Sequence, residues 1–212
     1  MNNQVLAFPI QAAPATENGT VPPKRQRNAD RRPREYLTEP EVERLMKAAG
    51  GNRNGLRDRT MILICFRHGL RVSELCGLQW SDVDLDRATL NIRRLKGSIS
   101  GSHPMDGDEV RALRALRREA PDSVFVFNAE GGGPISAAGF RKMLARLGPA
   151  AGLDALKVHP HALRHATGYA LVNREMDTRA LGEYMGHRNL QNTVRYTALN
   201  ATRFRGIWRK HK

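Results

Sequence analysis

The sequence lacks the features that mark several large classes of protein. Its 212 residues include no apolar run of the roughly 18–20 residues that a membrane-spanning helix requires. The only two cysteines, Cys65 and Cys76, lie in apolar segments, which is typical of buried free thiols in a cytosolic protein. No basic segment precedes the short apolar patch near the N-terminus, so a secretory signal is not expected. Aromatic residues make up 6% of the chain, which argues against a stacking platform for single-stranded nucleic acid.

Acidic residues are also scarce relative to basic ones. The chain has 35 Lys and Arg against 21 Asp and Glu, a formal net charge of +14. Such an excess indicates a polyanionic partner, either nucleic acid or an anionic membrane surface. The excess is concentrated at the ends, because residues 1–34 hold six basic and two acidic residues, and residues 203–212 hold five basic and no acidic ones.

The composition of the first segment predicts a disordered basic arm over residues 1–35. It is rich in Pro, Ala, Asn and Thr and has little apolar periodicity. Basic arms commonly follow DNA phosphates, and a solubilising tail is the alternative interpretation. The side chains that would contact DNA are Lys24, Arg25, Arg27, Arg31, Arg32 and Arg34.

From Leu37 onward the sequence predicts an ordered, mostly helical domain. Residues 38–41 (TEPE) form a capping-box pattern, which predicts the start of a first helix. The apolar run from Met61 to Phe66 predicts a central, buried second helix. Ser73 is predicted to cap a short third helix. Further helices are predicted over residues 107–119, 136–147, 160–173, 178–185 and 190–197.

A short β section interrupts the helices. Alternation over residues 89–94 predicts a strand, a turn follows at Lys96-Gly97, and residues 99–105 are predicted to return as its partner. Residues 82–87 are predicted to form a turn, and residues 123–128 (SVFVFN) a further short strand. The predicted fold class is α+β, mostly helical with one small antiparallel sheet.

Four local patterns contain the residues that could perform chemistry. They are HGLRVSEL (68–75), RRLKG (93–97), HPHALRHATG (159–168) and MGHRNLQNTVRYT (185–197). Each is a weak signal alone. The histidines at 159, 161 and 165 suggest a metal site, but the third pattern offers no carboxylate or cysteine ligand, so we expect no metal.

In this order the four patterns resemble the tyrosine recombinase (phage integrase) family, over about residues 36–208. Within that family, segments such as HPHALRHATGYAL and GHRNLQNTVRYTALNATRF are similar to the fimbrial phase-variation invertases. Those are recombinases of a single catalytic domain that invert a promoter segment between inverted repeats. The resemblance therefore implies a catalytic domain over residues 36–212, without the separate core-binding domain of larger members.

The resemblance implies a site-specific recombinase that cleaves and rejoins duplex DNA through a transient 3′-phosphotyrosine. Tyr196 would be the nucleophile and Lys96 the general acid toward the leaving 5′-oxygen. The residues that would bind the scissile phosphate are Arg71, Arg164, His161 and His187. Glu74 would support Arg71, and His165 would orient the site.

Elementary chemistry makes the same demands of such a site. Two guanidiniums neutralise an anionic phosphodiester, and a tyrosine hydroxyl with an ordinary pKa of ~10 must lose its proton to attack. A covalent phosphotyrosine conserves the energy of the phosphodiester bond, so no cofactor is expected.

Double-stranded DNA with inverted or attachment-type repeats is the expected partner. The resemblance further implies a homotetramer on two DNA sites, with accessory DNA-bending proteins, in the cytoplasm at the nucleoid and not at a membrane. Two alternatives stay open: a type IB topoisomerase-like enzyme that relaxes a single duplex, and a catalytically idle DNA-binding regulator.

Overall fold

A computed structural model describes residues 35–94, 100–155 and 157–197, and this part of the chain is mostly helical. It contains eight α-helices and one three-stranded antiparallel sheet, so the predicted α+β class is confirmed. The helices are α1 (Glu39–Ala49), α2 (Gly55–His68), α3 (Val72–Cys76), α4 (Gly107–Glu119), α5 (Ala137–Ala150), α6 (Pro160–Asn173), α7 (Thr178–Tyr184) and α8 (Gln191–Thr197). The strands are β1 (Val83–Asp84), β2 (Thr89–Ile92) and β3 (Gly101–Pro104). Among these helices, none is both long and apolar enough to cross a lipid bilayer.

Helix α2 is the centre of the core, as its apolar run predicts. Met61, Ile62 and Ile64 are fully buried, and the helix packs against α1, α4 and α6. Helix α1 begins directly after Thr38, where the Glu41 carboxylate accepts hydrogen bonds from the Thr38 backbone N–H at 2.8 Å and hydroxyl at 3.0 Å. The predicted start of the first helix is therefore confirmed.

The sheet places one face of strand β2 against the core. Strand β2 pairs with β1 on one side and with β3 on the other, and Leu90 lies opposite His103. Leu90 and Ile92 are buried, whereas Asn91 between them is exposed. Two residues beyond Ile92, Arg94 continues this alternation and is also buried, so a charged side chain enters the core from the end of the strand.

Three local predictions were wrong. Ser73 does not cap α3, because Arg71 occupies the N-cap position and the Glu74 carboxylate accepts its backbone N–H at 2.8 Å. Residues 82–87 are not entirely a turn, since they include strand β1.

Residues 123–128 form no strand of the sheet, and instead make isolated bridges from Phe125 to Gln79 and from Asn128 to Pro134. The Ser123 hydroxyl bonds both the N–H and the carbonyl of Phe125. These local bonds compete with regular strand pairing.

A small second hydrophobic cluster joins the last three helices. Its buried members are Val172, Leu181, Met185 and Tyr196. Tyr196, the predicted nucleophile, is thus a packed residue. It lies among the helices that contain the last two sequence patterns.

Candidate active site

The buried carboxylate of Glu74 holds two arginines. Its Oε1 accepts from Arg71 Nη1 at 2.8 Å, and its Oε2 accepts from Arg94 Nη1 at 2.8 Å. Burial acts to raise the pKa of Glu74, but the Arg71 N–H and the Arg94 guanidinium outweigh it, and the pKa is lowered. Glu74 therefore stays ionised and fixes Arg71, whose side chain remains 37% exposed.

Arg164 lies on α6 and bonds the backbone on two sides of the site. Its Nη1 donates to the Gly69 carbonyl, and its Nη2 donates to the Met185 carbonyl at 2.7 Å. Burial, then the nearby Arg94 and Arg71, lower the pKa of Arg164 to about 10, so it remains a cation at neutral pH. Gly69 ends α2 in the left-handed conformation at φ +57, and a Cβ there would lie 2.6 Å from Met185 Sδ.

Three of the predicted phosphate ligands line one cleft of about 440 Å³. They are Arg71, at the N-cap of α3, and Arg164 and His161 of α6. Arg141 of α5 is also on its wall, so the lining includes three guanidiniums, and no carboxylate is among the described residues that form it. A cleft with this lining is suited to an anion.

Tyr196 is 2% exposed, and its hydroxyl is bonded to a histidine. His165 Nδ1 lies 2.9 Å from Tyr196 Oη, and the His165 ring contacts the His161 ring at a centroid distance of 4.3 Å. The His187 ring lies parallel to that of Tyr196, at 6.4 Å, and its Nδ1 is 2.9 Å from Thr193 Oγ1. The structure thus brings His187 and Tyr196 together, while His165 is the histidine that bonds the tyrosine oxygen.

The histidines around this tyrosine are neutral near pH 7. Burial, then neighbouring positive or titratable groups, lower the pKa of His165 to about 3 and that of His187 to about 4, and lower the pKa of His161. Burial also raises the pKa of Tyr196, although Arg164 opposes this. The tyrosine is therefore protonated at rest, beside an imidazole that is able to accept a hydrogen bond from it.

Lys96 and the six basic residues of the predicted arm lie outside the described residues. The described residues on either side of the Lys96 segment, Arg94 and Ser100, are joined by a hydrogen bond of 3.0 Å from Arg94 N to Ser100 Oγ. The sequence did not predict that Arg94 and Thr193 belong to the site, nor that Gly168 leaves room for the Tyr196 ring. For Arg94 a signal existed, because it follows Leu90 and Ile92 at the strand spacing of two.

Comparison with known proteins decides the family. The sequence profile described as "Phage integrase family" matches residues 35–203. The chain belongs to the phage integrase family. It is a tyrosine recombinase, and the members of this family cleave and rejoin DNA.

Individual tyrosine recombinases share most of the chain. The type 1 fimbriae regulatory protein FimB of Escherichia coli (strain K12) is 44% identical over 185 residues, which cover 85% of this chain and 92% of FimB. The crystal structure of XerA recombinase superposes with a TM-score of 0.71 at 29% identity, covering 84% of this chain and 66% of XerA. The Tn1549 transposon integrase, in complex with circular intermediate DNA, has a TM-score of 0.66 at 25% identity, covering 76% of this chain and 61% of that one. The predicted similarity to fimbrial recombinases is confirmed.

Gly168 leaves room for the Tyr196 ring, which packs directly against it. A Cβ on Gly168 would lie 2.7 Å from Tyr196 Cε1 and Cζ, so Gly168→Ala must displace the ring. With Tyr196 as the predicted nucleophile, we expect the rate of DNA cleavage to fall on the order of 10²-fold, since displacements near 1 Å have effects of this size. DNA affinity should be unchanged. Gly131→Ala is the matched control, because a Cβ there meets nothing within 4 Å. A wild-type cleavage rate in Gly168→Ala would contradict the prediction.

Proposed function

We propose that this tyrosine recombinase is a site-specific enzyme of the invertase or integrase type that uses Tyr196 as its nucleophile. One observation supports this most directly. The Tyr196 hydroxyl is bonded to the neutral His165, and the His165 ring contacts the ring of His161. His161 in turn lines the cleft together with Arg71 and Arg164. This arrangement supplies a nucleophile, a proton acceptor and an anion-binding surface for one phosphodiester.

In the proposed reaction, Tyr196 Oη forms a bond to the scissile phosphorus as the bond from phosphorus to the 5′-oxygen breaks. As this bond forms, the phenolic proton becomes far more acidic, so His165, the imidazole within hydrogen-bond distance, would take it although its own pKa is lowered to about 3. This role goes beyond the orienting one that the resemblance implies. Lys96 supplies a proton to the leaving 5′-oxygen. The reverse reaction, with a 5′-hydroxyl of another strand as the attacking group, rejoins the DNA and releases the tyrosine.

The cleft stabilises negative charge in the transition state. Arg71 and Arg164 would each donate to the non-bridging oxygens. His161, from the cleft wall, and His187, from beside Tyr196, would donate further hydrogen bonds. Around the single carboxylate of Glu74 there are three guanidiniums, those of Arg71, Arg94 and Arg164. The local excess of positive charge is present before DNA arrives, so little reorganisation is required during the reaction.

Covalent capture tests this function with no assumption about the target sequence. The full chain is incubated with a pool of nicked duplexes that have a randomised core, and DNA that stays attached under denaturing conditions is recovered and sequenced. We expect a shared inverted repeat among the recovered duplexes and a DNA-linked peptide that contains Tyr196. Absence of any adduct would favour the idle regulator. If the chain forms adducts, and in a separate assay relaxes a supercoiled plasmid without exchanging strands between two sites, the topoisomerase-like alternative is favoured.

We further propose that the chain acts as a homotetramer on two double-stranded sites, with accessory DNA-bending proteins, and that it resides in the cytoplasm at the nucleoid. DNA-bound relatives such as the Tn1549 integrase support a DNA partner. In this proposal residues 1–35 are a separate arm, and residues 36–212 are the catalytic domain.

The arm proposal predicts a change in salt dependence. Replacing its six basic residues by glutamine should weaken DNA binding. The slope of log affinity against log salt should also become less steep, by up to ~0.9 for each phosphate that the arm no longer neutralises. Deleting residues 1–23, which hold no Lys or Arg, is the matched control and should leave the slope unchanged. If the glutamine variant keeps the wild-type slope, the arm is a solubilising tail.

A further inference from the structure

We propose that Arg94 is a positioning residue that holds the two phosphate-binding arginines, Arg71 and Arg164, in one geometry. The inference rests on the proposed function, because it assumes that these arginines bind the scissile phosphate. Arg94 would not touch the DNA itself, since its side chain is 1% exposed and its guanidinium is surrounded by acceptors of the protein.

Four acceptors surround the Arg94 guanidinium. Nη1 donates to Glu74 Oε2 at 2.8 Å and lies 3.4 Å from the Gly69 carbonyl. Nη2 donates to the Tyr184 carbonyl at 2.9 Å and to the His68 carbonyl at 3.3 Å. These acceptors belong to three separate parts of the chain: the end of α2, helix α3, and the end of α7.

Each group of acceptors also supports one of the two cleft arginines. The other oxygen of Glu74 holds Arg71 at 2.8 Å. The Gly69 carbonyl also accepts from Arg164, and the carbonyl next to that of Tyr184, at Met185, accepts from Arg164 at 2.7 Å. Moving Arg94 would therefore move the supports of both arginines together.

The charge of Arg94 contributes to the same effect. Its cation beside Glu74 helps to keep that carboxylate ionised, and an ionised Glu74 is what fixes Arg71. Because a buried ion pair adds little net stability relative to apolar packing, stabilising the fold is a poor explanation for an arginine at this position. Alignment of Arg71 and Arg164 is a better explanation, because two acceptors of Arg94, Glu74 and the Gly69 carbonyl, also hold these arginines.

A double-mutant cycle separates positioning from a purely structural role. DNA duplexes recovered by covalent capture on the wild-type chain are the substrates, and the cleavage rate in a single turnover is measured beside the affinity for the same duplex. We expect Arg94→Gln to lower the cleavage rate on the order of 10²-fold with unchanged affinity, since this is the size of effect when one electrostatic contribution is removed. Glu74→Gln should lower it similarly, and the double variant should be no slower than the slower single variant.

Arg94→Lys should retain part of the activity, because it keeps the charge but cannot reach all four acceptors with one ammonium. If Arg94→Gln does not fold, Arg94→Lys takes its place in the cycle.

Arg93→Gln is the matched control. Arg93 is the exposed neighbour, its Nε bonds Asp82 Oδ1 at 2.6 Å, and its replacement should leave cleavage unchanged.

Three results would overturn the positioning role. The first is an unchanged cleavage rate in Arg94→Gln, and the second is a DNA affinity that falls in step with the rate. The third is a loss of rate in the double variant that equals the product of the two single losses to within about twofold, as for independent sites. Failure of the wild-type chain to form any adduct would instead overturn the proposed function, so the two failures are distinguishable.

Discussion

Replacing Tyr196 by phenylalanine is expected to abolish the covalent protein–DNA adduct while leaving the fold intact. The substitution removes the oxygen that would bond to phosphorus, and the loss should be on the order of 10⁶-fold, as for other enzymes that lose their nucleophile. The phenyl ring keeps its place in the cluster with Val172, Leu181 and Met185. The missing hydrogen bond to His165 should cost about 1 kcal/mol of stability.

The adduct is measured on a denaturing gel with DNA recovered by capture, and stability by thermal melting. Tyr169→Phe is the matched control, because Tyr169 is the neighbouring tyrosine whose ring contacts that of Tyr196 edge-on at 5.2 Å. It should form the adduct at the wild-type rate. An adduct that persists in Tyr196→Phe would assign the nucleophile to another residue.

Arg164→Lys is expected to lower the cleavage rate on the order of 10³-fold although the positive charge is kept. The Arg164 guanidinium has enough N–H groups to bond the Gly69 and Met185 carbonyls and still face the cleft. A lysine ammonium is a compact charge without this planar fork, so it cannot hold both carbonyls and a phosphate in the same geometry.

The rate in a single turnover at saturating DNA is the measurement that reports this effect. Arg179→Lys is the control, since Arg179 is an exposed arginine of α7 that pairs with Glu183 at 3.3 Å. Its cleavage rate should match the wild type. A rate for Arg164→Lys within about tenfold of the wild type would show that charge alone, and not guanidinium geometry, is required at this position.

Much of the fold could be predicted because its signals are local. The Glu41 carboxylate lies three residues from Thr38, and the apolar run of α2 marks a segment, Met61 to Phe66, that is buried along its whole length. Alternation in β2 indicated the inward-facing Leu90 and Ile92. Two of the three wrong predictions arose where side chains compete for backbone groups. Glu74 takes the N–H of Arg71, which moves the helix start ahead of Ser73.

Part of the candidate site could also be predicted. The order of the four patterns identified Arg71, His161 and Arg164, and the structure brings these three into one cleft. The sequence could not predict which of His161, His165 and His187 bonds the Tyr196 hydroxyl. The structure assigns this bond to His165, which lies 31 positions from Tyr196 on a different helix. Alternation with Leu90 and Ile92 favours Arg94 over Arg93 as the inward-facing arginine, but it does not show which groups the Arg94 guanidinium meets in the core.

By itself the sequence determined the excess of positive charge, which depends on composition alone. Through the resemblance of its four ordered motifs to the tyrosine recombinases, it also indicated the reaction class and the residue types that a phosphoryl transfer requires. Only the tertiary structure decided how those residues act on one another. The bonds of Arg94 to Glu74 and Tyr184 join residues 20 and 90 positions apart. Such contacts depend on how α2, α3, α7 and the sheet pack together, and packing over these separations has no local period in the sequence.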